Sequence, residues 1–542
     1  MRMHPYRLLL IVAMLPAALA SVRGRAAVLV DSGTPCATIV VGAQPSQQAR
    51  EAATELQACL QRMSGARIPI VADAASARGA RILVGRNASV EEARRLNIEL
   101  PSGVTRDLDE EGYVVAVDDA TVLLAGNETT PYQGTHYAVY DLLHQLGCRW
   151  YMPGSFGEVI PTVRTVRVST QRKRTRPDFR VRNIWYKGWI AISERESAAY
   201  ALWRRRNRMT SPEMSSEAFM PPASDNTTYR LLPREKYWAD HPEYYALNED
   251  GTRNPEMMCM TNPGALDAAT ETIAQWFHEH PDRLCFDFSP PDAPVLCNCV
   301  TCRKAMHGGF GGEGWGAVSD AYFDFVVRLA DRAALRCPGK RIASMAYFNR
   351  CRPPLSATRK RDNLLMFLAS IEQCVLHSYA DPNCWSRRAY RAMQAHWGAI
   401  CGGLLYYEYD PHDWSSLQRP AWRSQGIADD LRLLKANGGW GFDDEGQMAW
   451  LSTGLNYYVR ARLGWDLRED PQALVKDFAE RFFGPAAKPF LRYYESIEQA
   501  QAQAKLHRPG NADFWGELNR PALHFLQVWP PSLLEQCAAL LD

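Results

Sequence analysis

Residues 283–302 read RLCFDFSPPDAPVLCNCVTC. Leu284–Phe288 is a short apolar run with one acid, Asp287, embedded in it, which predicts a buried strand. Ser289-Pro290-Pro291 stops the strand, because proline cannot donate to a ladder. Asp292 then sits on the loop just past the strand's C-terminal end. A parallel strand with a carboxylate at its C-terminal tip is how a (β/α) barrel presents catalytic groups. Cys297-x-Cys299-x-x-Cys302 follows and predicts a loop pinned by metal or by disulfide, holding that acid in position.

Outward from this stretch, residues from Asp178 onward alternate between strand and helix patterns. Strands are predicted at Phe179–Trp185, Met257–Thr261, Arg341–Phe348, Leu364–Ile371, Gly403–Tyr409 and Gly439–Phe442. Apolar residues at helical spacing fall between them, as in Ala265–Phe277 and Ser319–Leu335. Such alternation argues a parallel sheet. The count approaches eight strands if one lies within 209–256, favouring a closed barrel over an open doubly wound sheet. No Gly-rich phosphate fingerprint follows any strand. The expected fold is therefore α/β: an N-terminal α/β sandwich over 27–168, a (β/α)8 TIM-like barrel over 178–468, and a C-terminal helical segment over 469–542. The basic link TQRKRTRP, 170–177, reads as a solvated linker.

The first twenty residues read as a secretory leader, with Arg2 and Arg7 before the apolar run Leu8–Leu19 and a small-x-small end at Ala18-Leu19-Ala20. This predicts secretion to the periplasm or medium. No later stretch has the roughly 18 uninterrupted apolar residues of a membrane span. The net charge of +2 is dispersed along the chain, which argues against a nucleic-acid footprint. The 16 Trp and 23 Tyr supply flat amphipathic rings, mostly for the core but suited also to sugar faces.

Acids gather where the predicted strands end: Asp292, Glu372, Glu408 and Glu445, with Asp443 and Asp444 beside the last. Glycoside hydrolysis needs a pair of carboxylates, one to protonate the leaving oxygen and one to act as nucleophile or base. Asp292, Glu372, Glu408 and Glu445 are the catalytic candidates. Trp185, Tyr347, Arg350, Tyr407 and Trp440 are the candidate substrate contacts, the rings for stacking and Arg350 for a uronic carboxylate. No catalytic cofactor is expected. A non-catalytic carbohydrate-binding protein on a degenerate glycosidase barrel is the alternative. A metal-dependent hydrolase would draw on His377 and His412, though no His-x-x-x-His pattern supports it. Cys259, on a neighbouring predicted strand, brings the thiols near the loop to four. They read as a structural zinc set, as two disulfides or, without a thioredoxin-like context, as a redox Cys299-x-x-Cys302 pair.

The runs AATELQACLQRMSGARIPIV, ILVGRN, GYVVAVDDATVLLAGN and GTHYAVYDLLHQLGCRWYMPG resemble the N-terminal domain of bacterial α-glucuronidases and β-hexosaminidases. HPEYYALNEDGTR, MCMTNP, the CNCVTC loop, AYFNRCRPP and DFAERFFGPAAKPFLRYYESIE resemble a secreted bacterial family known mainly as a domain of unknown function. The resemblance implies a (β/α)8 barrel after the N-terminal domain and a glycoside hydrolase acting on a carbohydrate. By strand order it implies catalytic roles for Asp292, Glu372 and Glu408, with Asp292 standing where α-glucuronidases carry a glutamate. The Asp-Glu pair of β-hexosaminidases is absent, since Ala293 follows Asp292.

Overall fold

The computed structural model describes residues 26–104, 107–186, 193–210, 228–291, 297–306, 318–347, 349–370, 374, 376–409, 422–446, 450–505 and 528–541. The leader reading at 1–20, Asp292, Glu372 and His412 lie outside the described residues.

Six strands form one parallel sheet: Val181–Tyr186, Gly439–Gly446, Cys401–Tyr407, Arg361–Ala369, Arg341–Ala346 and Cys285–Asp287, in that spatial order. The first of these six strands in chain order therefore lies beside the last, in register Val181 to Gly441 through Tyr186 to Gly446. That is the neighbour relation of a closing barrel. The sheet curls. Trp440, at the start of its strand, lies under Arg180 at 5.0 Å and also under Arg341 at 5.1 Å, although two strands separate Arg341's strand from its own. Strands stand about 4.8 Å apart, so a flat sheet would hold those backbones roughly 14 Å from each other. The concave face carries its own apolar layer, including Val181, Ala343, Met345, Leu365, Phe367, Leu405 and Tyr407. The helices Ser319–Arg336, Trp385–Ile400, Ser424–Ala436 and Trp450–Trp465 cover the convex face.

Closure into eight parallel strands is not reached among the described residues. The predicted Met257–Thr261 strand is instead Arg253–Met258, paired antiparallel with Tyr245–Leu247 as a separate hairpin. Asn248, Glu249, Asp250 and Gly251 make the turn that folds this strand back on its predecessor, which a parallel assignment cannot accommodate.

The N-terminal region forms a mixed sheet with order Gln171–Thr175, Tyr113–Val117, Thr121–Gly126, Ala80–Val84, Ala37–Val40, Ile70–Val71. The helix Gln47–Ser64 starts at Ser46, whose side chain accepts from the Ala49 N–H at 3.0 Å, and stops at Gly65 with φ 80°. This region is not a freestanding sandwich. Tyr113 and Tyr137 pack on Trp465 of the Trp450–Trp465 helix at 5.3 and 5.4 Å, within one continuous core. Nor is 170–177 a solvated linker. Gln171–Thr175 pairs antiparallel with Tyr113–Val117 as an edge strand. Its Lys173 reaches Asp141 at 2.8 Å, and its basic side chains protect the exposed edge from further pairing. No helix among the described residues is long and apolar enough to cross a membrane.

Candidate active site

The last strand runs to Gly446, so Asp443, Asp444 and Glu445 belong to the strand rather than to a loop after it. Successive side chains on a strand alternate faces. Phe442 and Asp444 point to the convex side, where Arg460 lies over the Phe442 ring at 5.2 Å and pairs with Asp444. Asp443 and Glu445 point to the concave side, at the C-terminal end of the sheet.

There the Asn183 side-chain amide donates to Asp443 Oδ1 at 2.5 Å, and the Tyr407 hydroxyl donates to Glu445 Oε2 at 3.2 Å. Tyr407 packs on Trp185 at 5.9 Å and on Tyr409 at 5.4 Å between ring centroids. Asp443 is 1% exposed, and its Oδ2 has no hydrogen-bond partner among the described residues. Burial pushes its carboxyl up to about 7, opposed only in part by the Asn183 amide and the Arg204 charge. Burial also pushes the Tyr407 phenol well above its ordinary range, and the charges of Glu445 and Asp443 add to the effect. These groups therefore share one electrostatic environment. Sequence reasoning singled out Glu445, Tyr407 and Trp185, and the fold brings them together. It noted Asp443 without selecting it and missed Asn183; strand alternation counted back from Glu445 would have found Asp443.

Glu408 lies on the other side of the sheet. Ser370 Oγ donates to one of its oxygens and the Tyr379 hydroxyl to the other at 2.7 Å. Tyr379 stacks on Tyr390 at 4.9 Å and lies under the Arg387 guanidinium at 4.2 Å, within the convex-side packing. Glu408 also links the last two strands through its backbone. Its N–H donates to Asp444 Oδ1 at 3.0 Å and its carbonyl accepts from the Glu445 N–H at 2.8 Å. Strand alternation places Glu408 opposite Tyr407, so it does not share the concave face with Glu445.

The positions of two proposed substrate contacts, Trp440 and Arg350, are these. Trp440 lies at the N-terminal end of the sheet between Arg180 and Arg341, far along the strand from Glu445. Arg350 is 1% exposed with its guanidinium 5.8 Å from the Tyr322 ring, inside the packing of the Ser319–Arg336 helix. Burial lowers it to about 10. Tyr347, half-buried, stays with the concave layer. Asp287 ends its strand buried and bridged by Arg230 at 2.8 Å; burial raises its carboxyl despite that charge.

The four cysteines converge: the Sγ atoms of Cys259, Cys297, Cys299 and Cys302 all lie within 4.8 Å of one another. Cys259 Sγ is 3.7 Å from both Cys299 Sγ and Cys302 Sγ. Cys259 arrives from the end of the hairpin rather than from a parallel strand. The same hairpin holds the loop, since the Asn298 N–H donates to the Leu247 carbonyl at 2.7 Å and the Leu247 N–H to Cys297 Sγ at 3.4 Å. His377 lies against Cys374, not among the strand-end carboxylates.

Residues 152–496 match the family described as Domain of unknown function (DUF4838). The chain belongs to that family. Residues 30–142 of this DUF4838 protein match the Glycosyl hydrolase family 67 N-terminus. Among solved structures, it is similar to a family GH115 4-O-methyl-α-glucuronidase with specificity for decorated arabinogalactans. That likeness has 13% identity and a TM-score of 0.53, over 95% of this chain and 69% of the other. A Streptomyces plicatus β-hexosaminidase in complex with its product aligns at 14% identity and TM-score 0.43, over 86% of this chain and 93% of that one. At 13% identity the likeness to the α-glucuronidase is one of fold. No curated protein matches the chain in sequence.

Proposed function

We propose that this DUF4838 protein is an exported glycoside hydrolase that cleaves a polysaccharide or oligosaccharide with paired carboxyl groups. The observation that carries the reading is the concave-face pair Asp443 and Glu445, set beside Trp185 and Tyr407 at the C-terminal end of a curled parallel sheet. A carboxyl pushed up to about 7 by burial is protonated below neutral pH and about half protonated at pH 7, so Asp443 acts as the general acid. Glu445, held by the Tyr407 hydroxyl, acts as nucleophile or base. Trp185 offers an apolar face to a sugar ring. Asp292 and Glu372 follow two other strands of the sheet in sequence and are proposed as further carboxylates of the same cleft.

The organisation that goes with this reading is a leader at 1–20, an N-terminal domain over 27–168, a (β/α)8 barrel over 178–468 and a helical segment over 469–542. The four clustered thiols hold a structural zinc ion. A tetrahedral site with Zn–S bonds of about 2.3 Å has S···S edges of about 3.8 Å, which the two 3.7 Å separations approach. Four thiolates leave no open position for water, so this zinc anchors the Asp292 loop and takes no part in chemistry.

Release of reducing ends from a glycan panel tests the reading. Wild type is expected to hydrolyse at least one glycan. Glu445→Gln and Asp443→Asn should each lose roughly 10²- to 10⁴-fold, with binding retained. Tight glycan binding by wild type without turnover would favour the carbohydrate-binding alternative instead.

A further inference from the structure

A second cluster, unsuspected from the sequence, lies beside the Tyr379–Glu408 bond. Cys374, His377 and Cys384 each place one ligand atom within 4.8 Å of the others. All three are buried, at 1%, 4% and 0% exposure. Their spacing, Cys-x-x-His with Cys384 further on, falls on a loop that precedes the Trp385–Ile400 helix.

Each group is set up as a ligand. His377 Nδ1 faces Cys374 Sγ at 3.2 Å, while the imidazole is also hydrogen-bonded to the Ala504 carbonyl. With Nδ1 turned to sulfur, that bond falls to Nε2–H. A carbonyl that takes one ring N–H fixes the tautomer and leaves the other nitrogen's lone pair aimed at the cluster, the usual arrangement behind a metal-bound histidine. Cys384 is the N-cap residue of the Trp385–Ile400 helix, buried against the Cys374 thiol. Hydrogen bonds with Cys384 and His377, and then the buried Arg387 guanidinium, hold the Cys374 thiol well below its ordinary range despite burial. Two sulfurs and one imidazole nitrogen in a dry pocket suit a soft, thiophilic cation over a hard oxygen-seeking one.

We propose that Cys374, His377 and Cys384 bind a second zinc ion, separate from the one at Cys259, Cys297, Cys299 and Cys302. The loop it closes contains Tyr379, whose hydroxyl holds Glu408, and Glu408 in turn braces the backbone that carries Glu445. The ion thus fixes the convex side of the cleft without touching substrate.

Metal analysis of the purified full chain, paired with X-ray absorption at the zinc edge, tests this. Wild type is expected to carry two zinc ions, and His377→Ala, Cys374→Ser and Cys384→Ser one each. Cys259→Ser should also fall by one while keeping the second site, so failure of the four-cysteine site reads separately: wild type would then hold one zinc and His377→Ala none. Because a variant can fail to fold, the wild-type absorption spectrum is the independent measurement. It should show an imidazole nitrogen shell alongside sulfur, and loss of that shell in a folded His377→Ala protein would agree. An all-sulfur shell, an unchanged zinc content in the three variants, or a Cys374–Cys384 disulfide in peptide mapping of wild type would overturn the proposal.

Discussion

Asp443 is where burial matters most among single residues. Its carboxyl moves from 3.8 to about 7 on folding because the buried charge has only the Asn183 amide and a distant Arg204 to compensate it. Between those values the folded chain holds a proton that the unfolded chain has released. This group's stabilisation is complete below about pH 4 and is lost as pH rises through about 7. Asp430, raised to about 6 by burial, acts in the same sense. The carboxyls lowered by ion pairs, such as Asp141 and Asp477, titrate below this window. Thermal melts from pH 5 to 8 should therefore show the midpoint falling with pH. Asp443→Asn should flatten that fall by on the order of 2–3 kcal/mol across the window. An unchanged slope would show that Asp443 does not carry the proton. In the hydrolysis reading the same proton sets an alkaline limb, with kcat/KM declining above about pH 7.

Among elements, the Gly439–Gly446 strand decides the geometry. Leu404 pairs with Gly439 but Leu405 pairs with Gly441, so Trp440 is an extra residue in a bulge. The bulge turns Trp440 out to meet Arg180 and Arg341 and sets the phase that brings Asp443 and Glu445 to the concave face. Gly441 makes it feasible, with φ at 141° and the Val181 carbonyl of the neighbouring strand where a Cβ would lie. A methyl group there meets backbone that cannot yield. Gly441→Ala is expected to cost more than about 3 kcal/mol by backbone strain and lost pairing, seen as an early urea midpoint or insoluble protein. A wild-type midpoint would show that the bulge relaxes. Periodicity placed this strand but ended it at Phe442, because an Asp-Asp-Glu run has the composition of a loop and only the register with Val181–Tyr186 shows it to be ladder.

For the molecule as a whole, a buried ion pair joins the N-terminal region to the parallel sheet. Arg182, on the first parallel strand, is 0% exposed; it forms a bidentate pair with Glu111, itself 2% exposed, and gives a third bond to the Phe179 carbonyl at 2.7 Å. Its guanidinium also lies 5.3 Å from the Trp465 ring. Removing one partner leaves the other charge buried and unpaired, a loss of about 3–5 kcal/mol. Glu111→Ala should show that loss in chemical denaturation, with both regions unfolding in one transition because they share a core. Two separated transitions with the N-terminal one unchanged would contradict that coupling.

Local pattern was enough to read most strands and helices, the convergence of the four cysteines and the presence of acids at strand ends, because apolar periodicity and close spacing are written along the chain. It could not assign faces or partners. Whether Asp443 meets the cleft depends on a one-residue bulge, since a shift of one position moves every following side chain to the opposite face, and Glu408 is kept from it by alternation with Tyr407 on the neighbouring strand. Whether Met257 joins the sheet depends on a competing hairpin partner, and whether Trp440 and Arg350 meet substrate depends on which end and side of the curled sheet they occupy. The Cys374, His377 and Cys384 cluster likewise exists only once the loop is folded against the Trp385–Ile400 helix. Those are relations between residues distant along the chain, set by the packing of the whole, and only the tertiary structure decides them.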